Sequence, residues 1–404
     1  MKRRLNGALA IATASALALA GAAVAPAAVA APVPAGQTGH GHPAVDRVLN
    51  SVRANAAFRA MQEHFSVDDG SGLYLEQVPA EADDRPYAFE WPFSQAHIAI
   101  ADLANQPLTG HRYDDDLATA AAAQEHYWDA DGGTTGLPGY ASYPVGAYGD
   151  GGDYFYDDNE WVGLLDVQRY LTDGDEAALA RAEEIFALVV SGWDTDPTHP
   201  NPGGVFWTQA PWSSDRNTVS NMPGAQLGLR LHQITGEQSY LDWALKMYDW
   251  TNENLQRPDG LYSDHVDLAG VIEPTVWSYN QGVPVGVNVL LSQVTGERRY
   301  LDEAKRIAEA AYRYYVTEGR LDDQPAFFNS IFFKNLLLLE SETGGSTYRT
   351  AMQDYADRVW AEQRDRSTGL FVFEGEHTQL LEQAAMTQIY AVLAWSPRQW
   401  RDLY

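Results

Sequence analysis

TGEQSYLDWA at residues 235–244 and TGERRYLDEA at residues 295–304 are two copies of one pattern, and TDGDEAALARA at 172–182 is a third. Fainter copies start at Thr109 (TGHRY) and Thr343 (TGGSTY). In each, Gly or Asp-Gly ends one helix, and an acidic turn opens the next. After the turn, Leu241, Ala244, Leu245 and Tyr248 recur at the i, i+3, i+4, i+7 spacing of one buried helical face, as do Leu301, Ala304, Ile307, Ala308 and Ala311. The unit is a helical hairpin of about 60 residues, and strand-like alternation is absent. About six such units fit the chain. Hairpins of this kind stack as an open solenoid or close into a ring. A solenoid needs polar capping repeats, and none is visible. The expected fold is therefore all-α, an (α/α)6 barrel of helical hairpins.

Working outward, the N-terminus has the layout of an export signal. Lys2, Arg3 and Arg4 precede an uncharged, alanine-rich run, and Ala28-Val29-Ala30 is a small-x-small cleavage site. Residues 1–30 are expected to be a secretory signal peptide, 31–45 a flexible leader and 46–404 the barrel domain. The expected location is secreted, extracellular or in the cell envelope, with no membrane insertion after cleavage. The 404 residues contain no cysteine, which excludes disulfides and thiolate chemistry. Against 27 Lys and Arg stand 55 Asp and Glu, a net charge of −28, so a nucleic-acid partner is excluded on electrostatic grounds. The histidines show no paired metal-ligand spacing, and no cofactor or metal is expected. A monomer is expected.

The loops between hairpins are unequal. The Thr-Gly turns are short; loops 129–156, 192–216 and 256–279 are long and rich in Gly, Asp, Tyr and Trp. Long loops in a compact domain are usually functional, and aromatic faces with Asn, Gln and Asp suit a sugar. Glycoside hydrolysis needs two carboxyls, one protonated and one ionised. Asp68-Asp69, Asp83-Asp84, Asp114-Asp115-Asp116, Asp157-Asp158 and Asp322-Asp323 all supply neighbours. Only Asp157-Asp158 lies where an aromatic loop enters an apolar helix, between Tyr154, Phe155, Tyr156 and Trp161. Desolvation and the like-charged neighbour raise a carboxyl pKa there, while a helix N-terminus favours the anion. Because successive residues of a helix diverge by about 100°, Asp157 is expected outside the regular helix, in the loop or cap.

The segment YDDNEWVGLLDVQRYLTDGD, starting at Tyr156, resembles the signature of glycoside hydrolase family 76, the bacterial endo-α-1,6-mannanases. Gly192-Trp193-Asp194, Gly203 to Trp207, Arg216-Asn217 and Asn221 resemble a second block. Tyr262-Ser-Asp264 and Ser278 to Gly282 resemble a third. The likeness runs from about Phe89 to Trp395, is not clear over 46–88, and Asn159-Glu160 is more polar than the family leads one to expect. The resemblance implies an (α/α)6 barrel, α-1,6-mannan as substrate, endo action, retention of configuration and no metal. It makes Asp157 the nucleophile and Asp158 the acid/base. Trp207, Asn217, Asn221, Tyr279, Asn280 and Gln281 would line the cleft, with Tyr156, Trp161 and Asp264 as further candidates for sugar binding. The family also holds fungal cell-wall members that rejoin glycans, so transfer competes with hydrolysis. Other (α/α)6 enzymes, the uronyl hydrolases and lyases, act on acidic sugars and need a basic cleft. A non-enzymatic glycan-binding repeat protein would need aromatic platforms without paired carboxyls.

Overall fold

The computed structural model describes residues 43–404; the expected signal peptide and most of the expected leader lie outside the described residues. Among those residues are twelve α-helices: α1 (Pro43–Phe65), α2 (Glu90–Ala104), α3 (Asp114–Gln124), α4 (Tyr156–Asp173), α5 (Glu176–Ser191), α6 (Thr218–Thr235), α7 (Gln238–Asn254), α8 (Tyr279–Thr295), α9 (Arg298–Tyr312), α10 (Ala326–Thr343), α11 (Thr347–Glu362) and α12 (Leu380–Ala394). Short strands decorate the loops: β1 (Gln77–Val78), β2 (Trp128–Asp129), β3 (Gly139–Tyr140), β4 (Asp215–Asn217), β5 (His265–Asp267), β6 (Ile272–Glu273) and β7 (Thr378–Gln379). They pair as β1 with β7, β2 with β3, and an antiparallel β4-β5-β6 sheet.

The even-numbered helices form the inner ring. Each packs against the next, α2 on α4, α6, α8, α10 and α12, and α12 closes back on α2. Most outer helices lie mainly on one inner partner, α11 sits between α10 and α12, and α1 covers α12, so the last hairpin is assembled from the two ends of the described chain. This is an (α/α)6 barrel. The inner helices are buried almost throughout, whereas an outer helix such as α9 buries Ala304, Ile307, Ala308 and Ala311 along one face. Close approach of the inner helices uses small residues. A Cβ on Gly282 would stand 2.6 Å from the Phe332 backbone of α10.

The repeated turns do what their residues dictate. Gly236 and Gly296 end α6 and α8 in the left-handed region, with φ of 75° and 70°. The copy at Thr109 is different: α2 stops at Ala104, and Gly110 opens a short 3-10 turn instead. Helix α1 begins at Pro43, three residues inside the expected leader, since proline's fixed φ suits a first helical turn. Among the described residues no helix is long and apolar enough to cross a membrane.

Candidate active site

All six inner helices start at the same end of the barrel, and the long loops precede them. Besides the three expected from sequence, segments 66–89 and 363–379 also reach this end, tied together by the β1–β7 pair. Six helix N-termini thus point their positive ends at one cleft.

Asp157 and Asp158 are the second and third residues of α4, after an N-cap at Phe155 with extended backbone. Asp157 is therefore helical, contrary to expectation. Helical side chains tilt toward the N-terminus, and in a first turn no preceding turn covers them, so two adjacent residues lean out of the helix end together. Asp157 is buried and accepts a hydrogen bond from Trp207 Nε1 on Oδ2 (3.3 Å), while its Oδ1 is buried without a partner. Burial raises the Asp157 pKa; the Trp207 N–H and the first-turn amides of Asp157 and Asp158 oppose the rise. Asp158 has no such donors. Burial, then Asp157, then Glu90 push its pKa far above the ordinary carboxyl value.

Glu90, the first residue of α2, is a third carboxyl that no motif announced. It is fully buried, accepts from Gln124 Nε2 on Oε1 (2.9 Å) and leaves Oε2 unpartnered. Glu160, one turn into α4, is buried as well, and burial followed by the charge of Asp157 pushes its pKa well above the ordinary carboxyl value.

The other expected residues divide into two groups. Tyr279 opens α8, stacks on Phe328 at 3.9 Å and 7°, and has its pKa raised by burial and then by Asp264, Asp157 and Asp158. Its hydroxyl is thus in the field of all three acids. Asp264 accepts from Asn280 Nδ2 (3.1 Å) and pairs with His265 Nδ1 (3.0 Å). Asn217 stands at the N-cap position of α6 without capping it; its Nδ2 donates to Asp215 Oδ2 (3.3 Å), and its buried Oδ1 is unpartnered. Since Asp215 also acts on Asp157, the β4-β5-β6 sheet forms the cleft wall next to the pair. Burial disfavours the His265 imidazolium, yet Asp264, Asp215 and Glu273 keep its pKa above the ordinary value.

Four expected residues do not face the cleft. Tyr156 packs under Gly192, where a Cβ would meet its ring at 2.5 Å. Trp161 is buried in the barrel against Tyr404, ring centroids 6.2 Å apart. Asn221 and Gln281 are occupied with backbone. Asn221 accepts from Val205 N (2.8 Å) and donates to Val205 and Asn217 carbonyls. Gln281 accepts from Tyr262 N (2.7 Å) and donates to Tyr262 and Trp277 carbonyls. Asn159 does the same to Tyr140 from α4, and Gln383 accepts from Phe371 N from α12. The first turns of these inner helices thus share one device, an amide that pins the preceding loop.

The profile of glycosyl hydrolase family 76 matches residues 53–393. The chain belongs to that family. Among curated relatives, mannan endo-1,6-alpha-mannosidase DCW1 of Candida glabrata is 26% identical over 174 residues, 40% of this chain and 34% of the relative. The chain spans about a third of the length of the curated relatives it matches first. These are fungal, so the likeness is not confined to bacterial enzymes. Bacterial structures match over most of the chain. A family 76 glycoside hydrolase from a bovine Bacteroides thetaiotaomicron strain superposes with a TM-score of 0.75 at 25% identity, covering 85% of this chain and 77% of the other. An inactive variant of an α-1,6-mannanase of Salegentibacter, in complex with α-1,6-mannotriose, shares the fold with a TM-score of 0.67 at 20% identity over 85% and 99%. Among the described residues no group of three His, Asp or Glu is placed to hold a metal ion.

Proposed function

We propose that this family 76 protein is a secreted, endo-acting glycosidase that cleaves α-1,6-mannosidic bonds in mannan with retention, using Asp157 and Asp158. One observation carries the reading. Two adjacent carboxyls lean from one helix end into the cleft, and their surroundings differ in the direction the chemistry needs. Asp157 has the Trp207 N–H and the α4 amides to stabilise its anion, as a nucleophile requires. Asp158 has Asp157 and Glu90 to disfavour its anion, as a proton donor requires.

In the first step Asp158 gives its proton to the glycosidic oxygen, the C1–O bond breaks, and Asp157 bonds to C1 as a β-mannosyl ester. In the second, Asp158 takes a proton from water, whose oxygen attacks C1 and displaces Asp157, so the product regains the α configuration. Asn217 Oδ1 and the Tyr279 hydroxyl are suited to the sugar hydroxyls. The mannan-named relatives and the mannotriose complex of the Salegentibacter enzyme support this substrate class. Anionic sugars are disfavoured, because the carboxyls of Glu90, Glu160 and Asp215 lie close enough to act on the pair and the nearest imidazole, His265, is already engaged by Asp264. The N-terminal layout supports export, with residues 1–30 removed as a signal peptide.

Incubation with linear α-1,6-mannan, with products followed by chromatography and proton NMR, tests the reading. Short oligosaccharides appearing early with α anomers first are expected. Polymer left intact after long incubation overturns it.

A further inference from the structure

Beside Asp157 the cleft wall continues outward past every residue so far described. Trp212 is 57% exposed, and among the described residues it is the sole aromatic in a set of exposed large hydrophobics otherwise made of Val, Leu and Ile. An indole left in water forgoes the burial that usually justifies so large a ring. Yet Trp212 is held in place. Its Nε1 donates to Asp153 Oδ2 (3.1 Å), and its ring meets Phe155 and Trp207, each with centroids 6.2 Å away. Phe155 and Trp207 touch edge to face at 4.9 Å, and Trp207 is the residue whose N–H reaches Asp157.

The backbone beneath these rings is fixed from both sides. Tyr156 N donates to Trp207 O (2.9 Å), Gln209 N to Tyr154 O (3.0 Å) and Ser213 N to Ala210 O (3.0 Å). The Thr208 hydroxyl also bonds to Tyr154 O (2.7 Å), and Thr134 Oγ1 from the neighbouring loop bonds to Gln209 O (3.0 Å). A rigid aromatic ledge therefore leads from the carboxyl pair to solvent, with its outermost ring uncovered and an acid, Asp153, at its rim.

We propose that Trp212, continuing Phe155 and Trp207, is a remote sugar subsite that grips a mannose unit beyond the one lying against Asp157, and so makes the enzyme prefer long chains to short ones. The inference rests on the mannanase reading above and adds the site that would set its chain-length preference. The chemistry fits an α-1,6-linked chain. Each link contains the exocyclic C5–C6 bond and so has an extra rotatable torsion. Holding such a chain is entropically costly, and a preorganised flat face that accepts a pyranose by its C–H bonds tolerates more ring orientations than a fixed fork of hydrogen bonds.

The test compares wild type, Trp212→Ala and Trp212→Phe on linear α-1,6-mannan and on a chromogenic aryl α-mannoside too short to reach the ledge. The expected result is that Trp212→Ala lowers the ratio of kcat/KM for mannan to that for the aryl mannoside about three- to tenfold, the size of one aromatic contact, through KM rather than kcat. Trp212→Phe keeps most of that ratio. An unchanged ratio in an active Trp212→Ala enzyme overturns the subsite and leaves the mannanase reading standing. Should the wild type cleave neither substrate, the mannanase reading fails, and binding decides the ledge. Electrophoresis through a gel containing α-1,6-mannan, with both Asp157→Asn and Asp158→Asn present, should retard the Trp212 protein and not its Ala variant. Equal mobility of the two overturns the subsite.

Discussion

Replacing Trp207 by Phe should move the acid limb of the pH–rate profile upward. The substitution keeps a ring against Phe155 but removes the N–H that donates to Asp157 Oδ2 at 3.3 Å. A hydrogen bond to a charged group contributes about 1.5–3 kcal/mol. This one is longer than a charge-assisted bond usually is, so about 1 kcal/mol is the fitting figure. Divided by 1.36 kcal/mol per unit, that is a rise of about 0.7 in the Asp157 pKa. The sign follows from the role. A nucleophile must be ionised, and the folded-state pKa of Asp157 is already raised, so activity is lost as pH falls through that raised value. A further rise brings the loss in at higher pH. Well below the limb the variant should therefore be about fivefold slower than wild type, with a much smaller difference on the plateau. The assay is kcat/KM against pH with a chromogenic aryl glycoside of an α-1,6-manno-oligosaccharide. Trp212→Phe, which loses an N–H to Asp153 and none to the pair, serves as the control and should leave the limb in place. A limb that stays put or moves to lower pH in Trp207→Phe would refute the assignment of Asp157 as the ionised partner.

Asp157→Ala should abolish turnover of every substrate. Asp158→Ala should be very slow on mannan but retain glycosylation by an aryl glycoside with a good leaving group, and added azide should speed its second step and yield an α-mannosyl azide. Azide rescue of Asp157→Ala instead would reverse the roles, and near-normal activity in both variants would reduce the pair to a helix cap. Activity on mannan should be retained after dialysis against EDTA; loss restored by one divalent cation would contradict a mechanism resting on two carboxyls. In the barrel interior Lys334 Nζ lies 2.7 Å from Asp102 Oδ2, both side chains fully buried. Lys334→Met should leave that acid uncompensated and cost about 3–5 kcal/mol in urea unfolding, and adding Asp102→Leu should restore part of it; a double variant less stable than the single would contradict the pairing.

Much of the scaffold was readable because local chemistry and ring closure demand the same residues. The outer-helix stripes and the glycines at 236 and 296 are set by each hairpin alone. The copy at Thr109 misleads because Gly110 answers to a tertiary constraint: a Cβ there would stand 1.8 Å from the Ala104 carbonyl oxygen. In the site, Asp157 and Asp158 stood out through the aromatic loop before them. Asn221 and Gln281 were misread because an amide that fits two vicinal hydroxyls fits a peptide group equally well, and here it pins a loop. Trp161 follows Asp157 by one helical turn in sequence, yet it sits deeper along α4, inside the ring rather than at its mouth. Glu90 left no trace at all. It is a single acid at a helix start, and only the packing of successive inner helices brings the first turn of α2 beside that of α4.

That packing also brings four carboxyls into one small region, Glu90, Asp157 and Glu160 buried and Asp158 half-buried. Glu90, Asp157, Asp158 and Glu160 each have their pKa raised by burial, and the charge on Asp157 raises the other three further. Each charge added to this group makes the next more costly. Hydrogen-bond donors oppose the rise at Asp157 through the Trp207 N–H and two first-turn amides, at Glu90 through Gln124 and at Glu160 through the Gly224 amide, and none opposes it at Asp158. On the mannanase reading, a neutral sugar entering the cleft would displace water and make Asp158 and Glu90 harder to ionise, while Asp157 would keep its Trp207 and backbone donors. An anionic sugar would add a charge to a site already holding one more than its surroundings favour. On the mannanase reading, the acids around Asp158 bias it toward its protonated form, and the same acids would favour an uncharged glycan over an acidic one.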